Sequence, residues 1–204
     1  MIVHVASFLE SLGGSIDKDH YLRPIPGRVG YAAYCRKPEY SKAKKKEMAE
    51  HFVVKNFHAF RKEIESTCVE QIYTAYDGNT YCMQKVLNVA FSMTENNGVC
   101  TQSIIDQAID DILRENERNY KNRLSLLTPK PKELLIAIAK EGKATRVTSG
   151  NFVRSHHLTS TSSVQSALKQ LLSDDWITHS ADDDGNRQYM LSDMFLTQWI
   201  QRNF

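Results

Sequence analysis

No C-x-x-C pair, no basic leader and no surplus of charge of one sign occurs in this sequence, and each absence removes a class of protein. The four cysteines, Cys35, Cys68, Cys82 and Cys100, lack the spacing of a zinc ribbon or a redox motif. Three of them fall in helical patterns, so they are expected to be reduced core thiols of a cytoplasmic protein. The stretch Met1-Ile2-Val3-His4-Val5-Ala6 has no basic residue before it and its apolar run breaks at Glu10. That is too short for a signal peptide or a membrane span, so no membrane partner is expected. A formal net charge of only +2 gives no global pull on nucleic acid, which leaves that role to a local patch.

What is present is ordinary globular material, 41% apolar and 25% charged over 204 residues, enough for one large domain or two small ones. Residues 1–45 carry dense punctuation, Gly13-Gly14, Pro24, Pro26-Gly27, Gly30 and Pro38, and are expected to be irregular. From Ser41 the pattern turns helical. Met48, Phe52, Val53, Phe57, Phe60 and Ile64 recur at steps of three and four, behind the charges of Lys42, Lys44, Lys45 and Lys46. With Glu39, Glu47 and Glu50 interspersed, those lysines read as a solvated helix start, with phosphate contact as the alternative.

Thr67 and Glu70 have capping-box spacing and should open a helix bearing Val69, Ile72, Tyr73 and Tyr76. Asp77-Gly78 should end it, and Asn79 or Thr80 should cap the next, which carries Tyr81, Met83, Val86, Leu87, Ala90 and Phe91. After Asn96-Asn97-Gly98, Thr101 should cap a longer helix with Ile104, Ile105, Ala108, Ile109, Ile112 and Leu113 on one side. Residues 46–125 therefore read as a small all-α unit.

Thr128-Pro129 is a restart signal, a capping hydroxyl followed by proline at the first helical position. The helix it opens carries Leu134, Leu135, Ile138 and Ala139 and ends at Gly142. A second short helix starts at Thr148 or Ser149 and carries Phe152 and Val153. A third, capped by Ser160, runs through Val164, Ala167, Leu168, Leu171 and Leu172. The period then changes. Trp176-Ile177-Thr178-His179, the turn Asp182-Asp183-Asp184-Gly185 and Arg187-Gln188-Tyr189-Met190-Leu191 read as a β-hairpin. Three helices and a hairpin are the order of a winged helix, so the fold class is mainly α with a C-terminal winged helix over 126–204. Asp193 should cap a last helix carrying Phe195, Leu196, Trp199 and Ile200.

Several separated stretches also resemble a known family. Asp77-Gly78-Asn79-Thr80-Tyr81-Cys82-Met83-Gln84-Lys85-Val86-Leu87-Asn88, then Leu126-Leu127-Thr128-Pro129 leading to Leu135-Ile136-Ala137-Ile138-Ala139-Lys140-Glu141-Gly142, then Ser162-Ser163-Val164-Gln165-Ser166-Ala167-Leu168-Lys169, are similar to the C-terminal part of archaeal and Bacteroides-type AAA ATPases. In that family a P-loop core precedes a helical lid and a winged helix, and the resemblance covers about residues 46–204. The chain has no G-x-x-x-x-G-K-S/T and no strand ending in paired carboxylates for Mg²⁺. It is therefore expected to be non-catalytic and to need no cofactor. Where many such lids present an arginine to nucleotide, Thr80, Tyr81 and Cys82 stand here.

Two functions follow as expectations. The first is duplex DNA binding, with the Ser160 helix in the major groove. Ser160, Thr161, Ser162, Ser163, Gln165, Ser166 and Lys169 would contact bases and phosphates, and Lys143, Arg146, Arg154 and Arg187 would add phosphate contacts. Against it, the wing carries Asp182-Asp183-Asp184, three carboxylates that would repel a phosphate backbone. The alternative is an adaptor module docking on an ATPase core or another subunit, with the serine face merely solvated. Enzyme readings are weaker. His156, His157 and His179 lack ligand partners at metal spacing and read as exposed histidines. Cys82 reads as a buried thiol rather than a nucleophile, and Glu63 with Glu65 and Asp110 with Asp111 as solvated charges.

Overall fold

The computed structural model describes residues 42–182 and 184–204. The expected irregular segment up to residue 41, with Cys35, lies outside the described residues, as do Asp183 and the side chains of Lys42, Lys45 and Met48. The chain divides into two compact units, residues 1–109 and 110–204. Among the described residues no helix is long and apolar enough to cross a membrane.

The first unit holds α1 (Lys42–Ala59), β1 (Glu63–Ile64), α2 (Ser66–Ala75), α3 (Thr80–Met93), β2 (Val99–Cys100) and the start of α4 (Gln102–Ser125). The stripe of α1 is as expected at Val53 and Phe57, both buried with Ala49, but it does not extend to Ile64. Arg61 takes a left-handed φ of 54°, and the N–H groups of Phe60 and Lys62 fold back onto the Phe57 carbonyl at 3.0 and 3.1 Å. The helix stops there. Phe60 is left half exposed, and Ile64 passes into β1, which pairs in parallel with β2. A two-residue ladder is too short to impose a period of two, which is why the sequence reads as purely helical here.

The expected capping box is also absent. Glu65 occupies the N-cap of α2 without a side-chain cap bond, and Thr67 lies already inside the helix. Glu70 instead pairs with Lys46 of α1. The next junction behaves as expected. Gly78 takes φ +70°, where a Cβ would meet the Tyr73 ring at 3.0 Å, and the Asn79 side chain accepts from the Cys82 N–H at 3.0 Å. Cys68, Cys82 and Cys100 are buried, and burial, followed by the Glu65 carboxylate and Cys100, pushes the Cys68 thiol up to about 11. That enclosure disfavours a thiolate at Cys68.

The second unit continues α4 and adds α5 (Pro129–Glu141), β3 (Ala144–Thr145), α6 (Gly150–Ser155), α7 (Thr161–Ser173), β4 (Ile177–Ala181), β5 (Arg187–Leu191) and α8 (Met194–Asn203). The hairpin is β4–β5, with Ile177 opposite Leu191 and Ala181 opposite Arg187. Unexpectedly, β3 adds a third strand on the other side of β5, giving the antiparallel order β3-β5-β4. Its two residues follow Gly142 too closely to show a pattern of their own. Leu134, Leu135, Ile138, Leu171, Leu196 and Ile200 form the fully buried centre. Pro129 opens α5 as expected, although the Thr128 hydroxyl makes no cap bond. Asp193 caps α8 through the Leu196 N–H at 3.0 Å and accepts from Arg123 at 3.0 Å.

One side chain of the first unit stands out energetically. Lys62 is 8% exposed, and its ammonium donates to the carbonyls of Phe91 at 2.7 Å and Thr94 at 2.6 Å while lying 4.2 Å from the Phe91 ring centre. It satisfies carbonyls at the C-terminal end of α3, where a cation also meets the negative end of the helix dipole. Lys62→Met keeps the stem but removes both bonds, and is expected to cost about 2 kcal/mol or more, since hydrogen bonds to charged groups contribute on that order. Urea unfolding reads this directly; an unchanged midpoint would show that the ammonium contributes nothing.

Candidate functional site

The candidate site is built on α7. The chain enters it through a tight corner after α6, where His157 takes φ 55° and the Leu158 N–H returns to the Val153 carbonyl at 2.9 Å. Ser160, extended at φ −166°, then accepts from the Ser163 N–H at 3.3 Å, satisfying one orphan amide of the first turn. Val164, Ala167, Leu168 and Leu171 are buried, and α7 packs on α5. With 3.6 residues per turn, the opposite face must carry the polar set. Thr161, Ser162, Gln165, Ser166 and Lys169 are all exposed, and Ser160 and Ser163 are partly so.

Part of this face borders a shallow groove of about 400 Å³ against the start of α5, lined by Thr128, Lys130, Pro131, Ser160, Ser162, Ser163, Ser166, Ala167 and Gln170. Lys130 was not among the expected site residues. In the sequence it looks like any exposed residue in a first helical turn, and only the packing of α5 beside α7 brings it to the serines.

The remaining expected cations lie on three other elements. Arg154 is exposed on α6 and donates to the Asn151 side chain at 2.6 Å. Lys143 and Arg146 flank β3 and are exposed. The register pairs Thr145 with Gln188, so Arg146 and Arg187 stand one residue beyond the paired positions of neighbouring strands, at the same end of the sheet. Thus Arg146 and Arg187 are brought together, while Arg154 is placed separately.

The wing turn differs from expectation. The Asp182 carboxylate is engaged by its own turn: it accepts from the backbone N–H groups of Asp184 at 3.1 Å and Asn186 at 2.6 Å, and from the Asn186 side-chain amide at 3.3 Å. An aspartate that bonds the backbone two and four residues on is a turn-forming group. Asp184 is exposed, and Asp183 lies outside the described residues. Other acids of the second unit are also engaged within it. Glu141 meets His156 at 2.9 Å, Asp193 meets Arg123, Asp110 meets Arg202 and Asp111 meets Arg114 at 2.7 Å. No ion pair ties Lys130, Arg146, Lys169 or Arg187 to a carboxylate among the described residues.

His156 is therefore not the exposed histidine expected. Its side chain is 14% exposed, faces Glu141 and lies 4.4 Å from the Phe152 ring centre. His157 and His179 are exposed, and no group of three metal-ligating side chains occurs among the described residues. In the first unit Glu63 and Glu65 are exposed on β1 and at the α2 N-cap, and Cys82 is buried in the first turn of α3.

A family model described as a probable winged helix domain matches residues 118–202, a span that contains α5 to β5 and nearly all of α8. A winged helix domain is present. The match does not extend to the residues before 118. No curated protein and no solved structure matches the chain. Within the winged helix, α7 occupies the third-helix position and β4–β5 the wing.

Because the Asp182 carboxylate holds the wing turn through three contacts, Asp182→Ala is expected to destabilise the domain by about 1–2 kcal/mol and to speed amide exchange at Asp184 and Asn186. Equal exchange in variant and parent would show that the turn closes without it.

Proposed function

We propose that the winged helix binds duplex DNA, presenting α7 to the major groove and the wing end of the sheet to the sugar-phosphate backbone, and that the chain acts without catalysing a reaction. The observation that carries this is a set of uncommitted cations on and near the polar face of α7. Lys130, Arg146, Lys169 and Arg187 pair with no carboxylate among the described residues, and the wing carboxylate of Asp182 is bonded within its own turn. A net charge near zero therefore conceals outward cations around a polar helix face. Helix-turn-helix proteins dock such a helix with its first turns at base edges while basic groups on flanking elements hold phosphates.

A second reading has its own support. Asp174 and Asp175 after α7, and Asp184 on the wing, are exposed and would face a phosphate backbone unfavourably. The similarity of residues 46–204 to the lid and winged helix of AAA ATPases points to an adaptor docking on an ATPase core or another subunit. On either reading the absence of a phosphate-cradling loop from the sequence predicts a non-hydrolytic protein.

The two readings part in a titration of full-length protein with duplex DNA at several salt concentrations. Neutralising about three to four phosphates gives a log–log salt slope near −3, and Arg146→Ala or Arg187→Ala should each reduce its magnitude by about one. Absence of binding even at low salt would sink the DNA reading, and copurification with an ATPase subunit would then establish the adaptor.

A further inference from the structure

We infer that sequence discrimination by α7 rests on two residues, Gln165 and Lys169, which read an adenine and a guanine within about two base-pair steps of each other, while the serines of the same helix serve its fold and the backbone. The inference rests on the DNA reading above and deepens it by assigning the bases.

The argument starts from what the fold has already used. The Ser160 oxygen is the helix cap, accepting from the Ser163 N–H. Its hydroxyl also lies 3.2 Å from that of Ser162. Ser166 donates its hydroxyl to the Ser162 carbonyl at 3.2 Å, one turn back. A serine hydroxyl has a single hydrogen to give, so the donor capacity of Ser166 is committed inside the helix and that of Ser160 and Ser162 is shared between them. Ser162, Ser163 and Ser166 also line the groove beside α5, as does Gln170. Thr161 is exposed at the first helical position, but a lone hydroxyl can serve any base or phosphate and discriminates weakly.

Gln165 and Lys169 differ on every count. Both are exposed, neither lines the groove, and neither has a side-chain hydrogen bond or ion pair among the described residues. They are four residues apart, on one face, with Cα atoms separated by about 6 Å along the helix axis. Base pairs rise by about 3.4 Å, so two such side chains meet base pairs one or two steps apart. The chemistry of each is specific. A glutamine amide offers one donor and one acceptor, the complement of adenine N7 and N6 in the major groove. A lysine ammonium offers donors alone, the complement of guanine N7 and O6. Since no intramolecular bond must be broken first, either side chain can meet its base at little cost in protein stability.

The test is selection by the full-length protein from a randomised duplex library, with the bound pool sequenced. The parent is expected to enrich an A·T and a G·C pair no more than two steps apart. Gln165→Ala should lose about tenfold or more discrimination at the adenine alone, and Lys169→Ala at the guanine alone. Gln165→Glu should convert the adenine preference to cytosine, because a carboxylate accepts from the cytosine amino group. Ser166→Ala should leave the motif as it is. Thermal unfolding of the variants should match the parent, since neither residue is buried or bonded. A motif that survives both alanine substitutions, or salt-dependent binding with no motif at all, would overturn the inference while leaving DNA binding intact. Failure to bind any duplex would overturn both.

Discussion

The burial of Val164, Ala167, Leu168 and Leu171 beneath α7 is the constraint on which the outward surface of the winged helix depends. Transferring each valine or leucine from water contributes about 1.5–3 kcal/mol, so the rotation of the helix about its axis is strongly determined. Once those four positions face inward against α5, the helical period leaves Ser162, Gln165, Ser166 and Lys169 no choice but to face outward. The cap at Ser160 sets where the helix begins, and the left-handed residue His157 sets the corner by which the chain arrives. The same packing brings the start of α5, with Lys130, alongside the serine face.

Electrostatics act on this frame locally. A formal charge of +2 gives little indication of function, because a total does not say which charges are engaged within the fold. Asp182 is the clearest case. In the sequence it belongs to an acidic triplet on the wing, yet in the fold its carboxylate binds the backbone of its own turn. Glu141, paired with His156, and Asp193, serving both the α8 cap and Arg123, are similar. What matters for a polyanionic partner is the local distribution of charge left after such commitments rather than the total.

Legibility followed length and period. The stripes of α5, α7 and α8, the caps at Asn79, Ser160 and Asp193, and the β4–β5 hairpin could all be read from sequence, because each repeats its signal or carries a residue with one strong local role. The three short strands β1, β2 and β3 could not, since two residues show no alternation. Thr67 and Glu70 had the spacing of a capping box, but helix α2 starts earlier at Ser66, and Glu70 found Lys46, a partner distant in sequence. At the candidate site the polar face of α7 was visible. The hydrogen bonds that engage its serines, the groove beside Lys130 and the bonds from Asp182 to its own turn were not, because each depends on rotamers or neighbours that spacing does not encode.

Lysine footprinting tests most directly the proposal that α7, rather than the first unit, meets duplex DNA. Full-length protein is acetylated with and without saturating duplex DNA, and each lysine is scored for protection. The account predicts strong protection of Lys169, with Lys44 and Lys55 on α1 reacting equally in both states. Protection of Lys44 and Lys55 with Lys169 unchanged would contradict it.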